Sequence, residues 1–311
     1  MSTTEQHVVP PESTFRCAPW TQAQGVDPIG STPRFDALVL VEWPLPWPSD
    51  VTEIPELADA SMVAGVRVML VVPRHDDSAS GLSRVVHHRR LDASFFVGTD
   101  HQVPHHEVGA LVAALAADPL SDAYRPSVVG VAPPEVLVCG HGKRDACCGR
   151  WGTLVHVELA ARSSSVRVWR CSHTGGHRFA PTAITLPEGR AWAYIDADML
   201  SGIVARTADP VALAAHDRGT SSLDAWAQVL ERAVFSARGW AWLDQRDVTA
   251  RTVVSDDGRR ADVTLDWPGG TASGQVTITR TLPVLVCGEP PEAATKTSPE
   301  FTLSRFEIHG A

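Results

Sequence analysis

The chain has no surplus of positive charge. Its 27 Lys and Arg stand against 36 Asp and Glu, a formal net charge of -9 at pH 7. Nucleic acid or an anionic membrane requires a basic face, so neither is expected as the main partner. A basic partner is easier to accommodate. Long hydrophobic runs are missing too: no stretch approaches the roughly 18 apolar residues of a membrane span. The opening MSTTEQHVVPP has neither a basic n-region nor an apolar h-region. Cysteine is scarce, six in 311 residues, and gathered rather than spread. That pattern argues against a disulfide framework and for ligands or reactive thiols in a reducing compartment. These absences lead to the expectation of a soluble, cytoplasmic protein. With 44% apolar and 20% charged residues, it is long enough for two or three domains that each bury a core.

Two catalytic signatures are absent as well. Gly140-His-Gly142 lacks the third glycine of G-x-G-x-x-G, so a built-in NAD or flavin site is not indicated. A C-x-x-C at a helix start, the mark of thiol-disulfide exchange, is missing, and the vicinal Cys147-Cys148 offers a strained disulfide at best.

What is present is concentrated in two short runs, CGHGKRDACC (139–148) and CSHTGGH (171–177). They hold four of the six cysteines and three of the 13 histidines. Thiolate and imidazole are the ligands preferred by zinc, copper and iron-sulfur centres, and interspersed glycines let the backbone wrap closely around a metal.

Hydrophobic periodicity places these runs on a frame. Residues 36–43 read as a buried strand, 53–64 as a helix and 66–73 as a second strand. Strand-like segments follow at 84–89 and 93–98, then a helix at 107–117. The first βαβ unit implies a parallel pair, and the hairpin after it an antiparallel extension. That is the order of a thioredoxin core. A second pass repeats it. A strand at 135–139 precedes a helix at 149–162 with Leu154, Val157 and Ala161 on one face. A strand at 166–171, a hairpin of 183–186 with 191–195, and a helix at 196–206 capped by Asp196 complete the unit. The last third differs: a helical stripe of Leu223, Trp226, Leu230, Ala233 and Val234 leads into strands at 248–255, 260–267 and 274–281. Asp257-Gly258 and Pro268-Gly-Gly270 are the turns between them, and a short strand follows at 301–308. The expectation is an α/β chain of two tandem thioredoxin-like units, the second carrying the metal site, plus a small C-terminal α+β region. The divisions fall at 1–130 (a degenerate unit), 131–215 (a ferredoxin-like unit) and 216–311.

On this frame Cys139 ends the first strand of the second unit. Cys148 stands at the mouth of the following helix, and His173 and His177 lie in the loop leaving the next strand. Carboxyl ends of adjacent parallel strands converge, so these four side chains can reach one point. The positive end of the helix also favours thiolate over thiol.

CGHGKRDACCG and VWRCSHTGGHRFAPT, followed by LPEGRAW, resemble the sucrase/ferredoxin-like family of thioredoxin-fold 2Fe-2S proteins. CAPWTQAQGVDPIGSTP and LVLVEWPLPW resemble its N-terminal pattern. The resemblance implies a 2Fe-2S cluster bound by a C-x8-C pair, Cys139 and Cys148, on one iron and an H-x3-H pair, His173 and His177, on the other. Histidine ligands make such a centre less negative and raise its potential relative to four cysteines. Their second N–H groups allow reduction to couple to proton uptake. The implied role is a one-electron carrier rather than an enzyme, served by a separate reductase or acceptor.

Ligand identity alone leaves other readings open. Two Cys and two His satisfy tetrahedral zinc equally well. A Rieske site would need a second C-x-x-H, which is missing. Glycoside hydrolysis needs a carboxylate pair, and the spacing of Asp145, Glu188, Asp196 and Asp198 selects none. Gly175 and Gly176 are expected to tighten the histidine loop, Arg144 and Arg178 to offset charge or meet a partner, and Trp169 and Phe179 to pack the core. Cys171 reads as a small buried hydrophobe, and Cys17 and Cys287 as structural. Cys147 is a spare neighbour of Cys148. His87, His88, His105 and His106 lack ligand partners at suitable spacing and read as exposed.

Overall fold

A computed structural model describes residues 15–74, 81–90, 92, 94–118 and 124–310. The opening segment and the expected strand start at Ala93 lie outside these residues. The first half contains α1 (Cys17–Ala23), β1 (Ala37–Glu42), α2 (Pro55–Ser61), β2 (Val66–Val71), β3 (Leu82–Arg90), β4 (Phe96–Pro104), α3 (Val108–Ala117) and β5 (Val128–Val131). The second contains β6 (Glu135–Cys139), α4 (Thr153–Arg162), β7 (Arg167–Cys171), β8 (Ala183–Leu186), β9 (Arg190–Trp192), α5 (Ala197–Val204) and β10 (Asp217–Thr220). Among the described residues these strands form one mixed sheet of order β10-β9-β8-β6-β7-β2-β1-β3-β4-β5. In the first half β2 runs parallel to β1, while β3 and β4 extend antiparallel. The second half repeats this with β7 parallel to β6 and β8 and β9 antiparallel.

The two halves meet edge to edge at a single register pair, Val71 opposite Cys171. So narrow a seam lets the sheet fold back on itself. The alternation of side chains shows that it does. Leu38, Leu40, Met69 and Val86 of one half share a cluster with Leu137, Trp169, Ile184 and Ala191 of the other. The intervening Val39, Val41, Val68 and Leu70 pack with Leu57 and Leu111 of α2 and α3, and Val136 and Val138 turn outward to a third cluster. The inner cluster is sealed by polar groups from both halves. Glu135 on β6 receives His88 of β3 and Trp169 Nε1 at 2.6 Å, and Arg167 forms a fork with Asp100 at 2.7 Å. His87 and His88 are therefore buried, not exposed as the sequence suggested, whereas His105 and His106 are exposed.

The last elements are α6 (Ala225–Arg238), β11 (Thr249–Val254), β12 (Arg260–Trp267), β13 (Gly270–Pro283) and β14 (Thr297–Gly310), the strands forming a separate antiparallel sheet. Asp224 caps α6 by accepting the N–H groups of Trp226 and Ala227. Leu230 and Val234 of α6 lie in one cluster with Val136, Val138, Val263 and Leu265, so the helix is packed between the large sheet and the small one. Buried Arg190 on β9 ties the layers together by pairing with Asp217 of β10 and Glu231 of α6.

One expected helix face is turned. Leu154 and Val157 are exposed, while Val155 and Leu159 are buried. A π-helical turn, Cys148–Gly152, precedes α4. A Cβ on Gly152 would come 1.8 Å from the Cys139 carbonyl oxygen. That backbone contact sets the helix rotation, putting Gly152, Val155 and Leu159, spaced three and four apart, toward the sheet.

Candidate metal centre

β6 and β7 end side by side at the register pair Cys139 and Cys171. The chain leaving β6 turns through residues 140–145 and enters the π-turn. Asp145 closes that entry by accepting the N–H of Cys147 at 2.8 Å and of Cys148 at 3.4 Å. The chain leaving β7 is pinned across the seam: Arg67 of β2 donates to the His173 carbonyl at 2.7 Å, and Arg218 of β10 to the Gly175 carbonyl at 3.0 Å. Gly175 and Gly176 both take positive φ, +87° and +65°. A Cβ on Gly176 would stand 2.5 Å from the Arg218 guanidinium. Only glycine allows the loop to bend this closely over a buried arginine.

Of the four sequence-predicted ligands, Cys139 and Cys148 are fully buried and hydrogen-bonded to each other, and Cys139 also contacts His173. The His173 and His177 rings lie 5.7 Å apart, centroid to centroid. The bond from Cys148 holds the Cys139 thiol well below the ordinary range, against the effect of burial and with help from His173. The same bond, and then burial, push Cys148 up. Burial lowers His173, which keeps its imidazole neutral as a ligand requires. Its Nδ1 is buried with no hydrogen-bond partner. His177 turns Nδ1 toward Asp145 Oδ2 at 3.2 Å. A carboxylate there favours a proton on Nδ1 and leaves Nε2 as the free donor atom.

The surroundings are cationic. Arg218 is fully buried and Arg67 partly so, and neither has a carboxylate partner among the described residues. Both act electrostatically on Cys139, and Arg218 also on Cys148. Burial lowers Arg218 to about 9. Arg178 is occupied elsewhere, donating to the Pro283 carbonyl and Ser298. Arg144 is exposed, 3.9 Å from Asp50. His173 opens on a cleft of about 690 Å³ shared with His141, Arg144 and Asp50. His177 opens on a second cleft shared with Lys143 and Lys296. The cysteine side of the centre is thus closed and the histidine side reaches solvent.

Sequence reasoning missed three participants. Cys17 at the start of α1 and Cys287 in the loop after β13 read as structural in the sequence, and both lie beside Cys147 and Asp145. Among the described residues this is the group of metal-ligating side chains whose donor atoms all fall within 4.8 Å of one another. The only available signal was that cysteine is scarce. His141 was the third: its Nε2 donates to the Pro48 carbonyl at 2.8 Å, leaving a buried Nδ1 without a partner. Trp169 and Phe179 pack the interior as expected. The four carboxylates weighed for sugar hydrolysis are engaged separately. Asp145 faces sulfur, Glu188 pairs with Arg206, Asp196 caps α5 and Asp198 pairs with Arg162. No helix among the described residues is long and apolar enough to cross a membrane.

A 58-residue stretch is 38% identical to the altered inheritance of mitochondria protein 32 of Meyerozyma guilliermondii, covering 17% of this chain and 21% of that protein. The chain therefore spans about a fifth of the length of the curated relative it matches. No solved structure matches. The family model described as sucrase/ferredoxin-like matches residues 28–219, from the lead-in to α1's neighbouring loop through both halves of the large sheet and both cysteine-histidine runs. The chain belongs to the sucrase/ferredoxin-like family.

Proposed function

We propose that this chain is a one-electron carrier whose 2Fe-2S centre is held by Cys139 and Cys148 on one iron and by His173 and His177 on the other. The observation that carries this reading is the spread of the four donors. Cys139 touches Cys148 and His173, while His177 is held away against Asp145. A single tetrahedral zinc would draw all four donor atoms within about 4 Å of one another. They form no such group, which favours a centre with two metal ions. The unpartnered Nδ1 of His173 fits a donor waiting for a metal. When bound, a 2Fe-2S centre supplies reversible one-electron exchange. Around it, the buried Arg218 favours the more negative state, and the closed cysteine side excludes water. The solvent-reaching histidines give the shortest route to a separate reductase or acceptor. Their second nitrogens couple electron uptake to proton uptake, so the potential falls as pH rises.

The reading includes two thioredoxin-like units, supported by the repeated strand order and directions of the two halves. It also includes a reducing, cytoplasmic setting, supported by six free cysteines. The test is anaerobic purification of the full chain. The expected protein is red-brown, with about two irons per chain and an electron paramagnetic resonance signal on reduction. A colourless protein rules the reading out, and a potential flat from acidic to alkaline pH removes the proton coupling. His173→Cys or His177→Cys is expected to keep a centre of lower potential.

A further inference from the structure

Cys17, Cys147, Cys287 and Asp145 come from three segments separated by 128 to 270 residues, yet they share one pocket. Cys147 Sγ lies 3.2 Å from Cys287 Sγ, and Cys287 Sγ lies 3.5 Å from Cys17 Sγ. The Asp145 carboxylate closes the figure, with Oδ2 3.2 Å from Cys17 Sγ and Oδ1 3.4 Å from Cys287 Sγ. Cys17, Cys147 and Asp145 are buried, and Cys287 is half-buried. We infer that these four side chains form a second metal site, a closed tetrahedral zinc site of three thiolates and one carboxylate, distinct from the centre held by Cys139, Cys148, His173 and His177.

Three observations carry it. The first is distance: with zinc–sulfur bonds of about 2.3 Å and zinc–oxygen bonds of about 2.1 Å, tetrahedral ligands lie about 3.6–3.8 Å apart. The observed separations reach that after outward shifts of a few tenths of an ångström. Sulfurs this close hold one ion and leave no room for bridging sulfides.

The second is charge. Asp145 is 3% exposed and has no Lys or Arg partner among the described residues, facing sulfur on one side and His177 on the other. A buried carboxylate among thiols is costly unless a cation sits with it, and a dication also compensates the thiolates. A disulfide is the rival, since Cys147 and Cys287 are near enough to consider. It would leave one thiol and the carboxylate without compensation.

The third is the ring of backbone donors. The Cys17 N–H donates to Cys287 Sγ at 3.5 Å, and the N–H groups of Cys147 and Cys287 donate to the Asp145 carboxylate at 2.8 and 3.4 Å. Sulfur accepts such a bond well only as thiolate, and these bonds orient sulfur and carboxylate toward a metal. Soft thiolates in a tetrahedral set select zinc over calcium or magnesium, and four protein ligands make the site structural rather than catalytic.

The site divides the vicinal cysteines between two jobs, Cys147 facing zinc and Cys148 facing Cys139. The test is metal analysis of the full chain purified anaerobically. About one zinc per chain is expected, falling about tenfold or more in the Cys17→Ser/Cys287→Ser double variant after normalising to folded protein. A second measurement stands if that variant does not fold. The Cys139→Ser/Cys148→Ser chain, grown with cobalt, is expected to show the visible bands and thiolate charge-transfer absorption of a tetrahedral cobalt site. Zinc below about a tenth of an equivalent overturns the site. So does zinc retained in the double variant, or a Cys147–Cys287 disulfide found by mass in place of the metal. Zinc without iron, lost in the Cys17→Ser/Cys287→Ser variant, upholds this site and removes the electron-carrier reading, whereas iron without zinc does the reverse.

Discussion

Asp145 Oδ2 stands 3.2 Å from His177 Nδ1 and 3.2 Å from Cys17 Sγ, so one carboxylate is the common wall of two neighbouring pockets. Its other oxygen holds the N–H groups at the mouth of the π-turn. Position, orientation and charge at the candidate centre therefore converge on this residue.

Asp145→Asn preserves shape and the helix-entry bonds but removes the charge. Iron retention against a chelator is expected to weaken about 10- to 100-fold, the range for loss of a carboxylate that orients a ligating histidine. Iron content and visible absorption measure it. Wild-type retention would separate Asp145 from the centre.

Arg218→Met removes a buried cation acting on Cys139 and Cys148. At an effective dielectric near 20, one charge at this range is worth roughly 1–2 kcal/mol, so the potential is expected to fall by several tens of millivolts. Redox titration reads it, and an unchanged or raised potential would remove Arg218 from the electrostatics.

Gly152→Ala forces a Cβ to within 1.8 Å of the Cys139 carbonyl oxygen. Neither backbone can yield without moving β6, so a loss of about 3 kcal/mol or a failure to fold is expected. Gly130→Ala on β5, with nothing within 4 Å, is the control and is expected to unfold at the wild-type temperature.

His87 is lowered to about 4 by burial first and then by Arg89, His101 and His88. Its unfolded value is near 6.5, so the unfolded chain binds the extra proton between these limits. The contribution is intact above about 6.5 and is lost as pH falls toward 4, on the order of 3 kcal/mol in all. His101, His141, His156 and His173 are lowered in the same direction. Urea unfolding at pH 7 and pH 5 should show the decline, and His87→Phe should flatten it. Equal stability of the wild type at both pH values would contradict the assignment.

The strand and helix succession was legible because each element carries its own period. Residues 37–42 and 66–71 are apolar apart from Glu42 and Arg67, and Asp257-Gly258 closes the β11–β12 hairpin as its turn chemistry demands. What stayed illegible depends on contacts between distant segments. The fold-back of the sheet rests on one register pair, which no local pattern announces. The inward face of α4 was misread because both sides of that helix are apolar, and the choice is made by Gly152 against Cys139. His88 looked partnerless because Glu135 is 47 residues away. Placement at one end of the sheet and the family resemblance pointed to Cys139, Cys148, His173 and His177, each pair lying within one short segment. Cys17 and Cys287, 270 residues apart, gave spacing nothing to work with.

That separation has a consequence for how the protein is made. Cys287 reaches the pocket only from the loop beyond β13, after both halves of the large sheet and α6 have been synthesised. The second half can acquire its strands on the ribosome long before that loop emerges, but the pocket that shares Asp145 with the histidine loop cannot close until the chain has passed residue 287. Metal retention then reports on how far the chain has been made: a product ended before Cys287 keeps Cys139, Cys148, His173 and His177 with one wall of their surroundings unfinished.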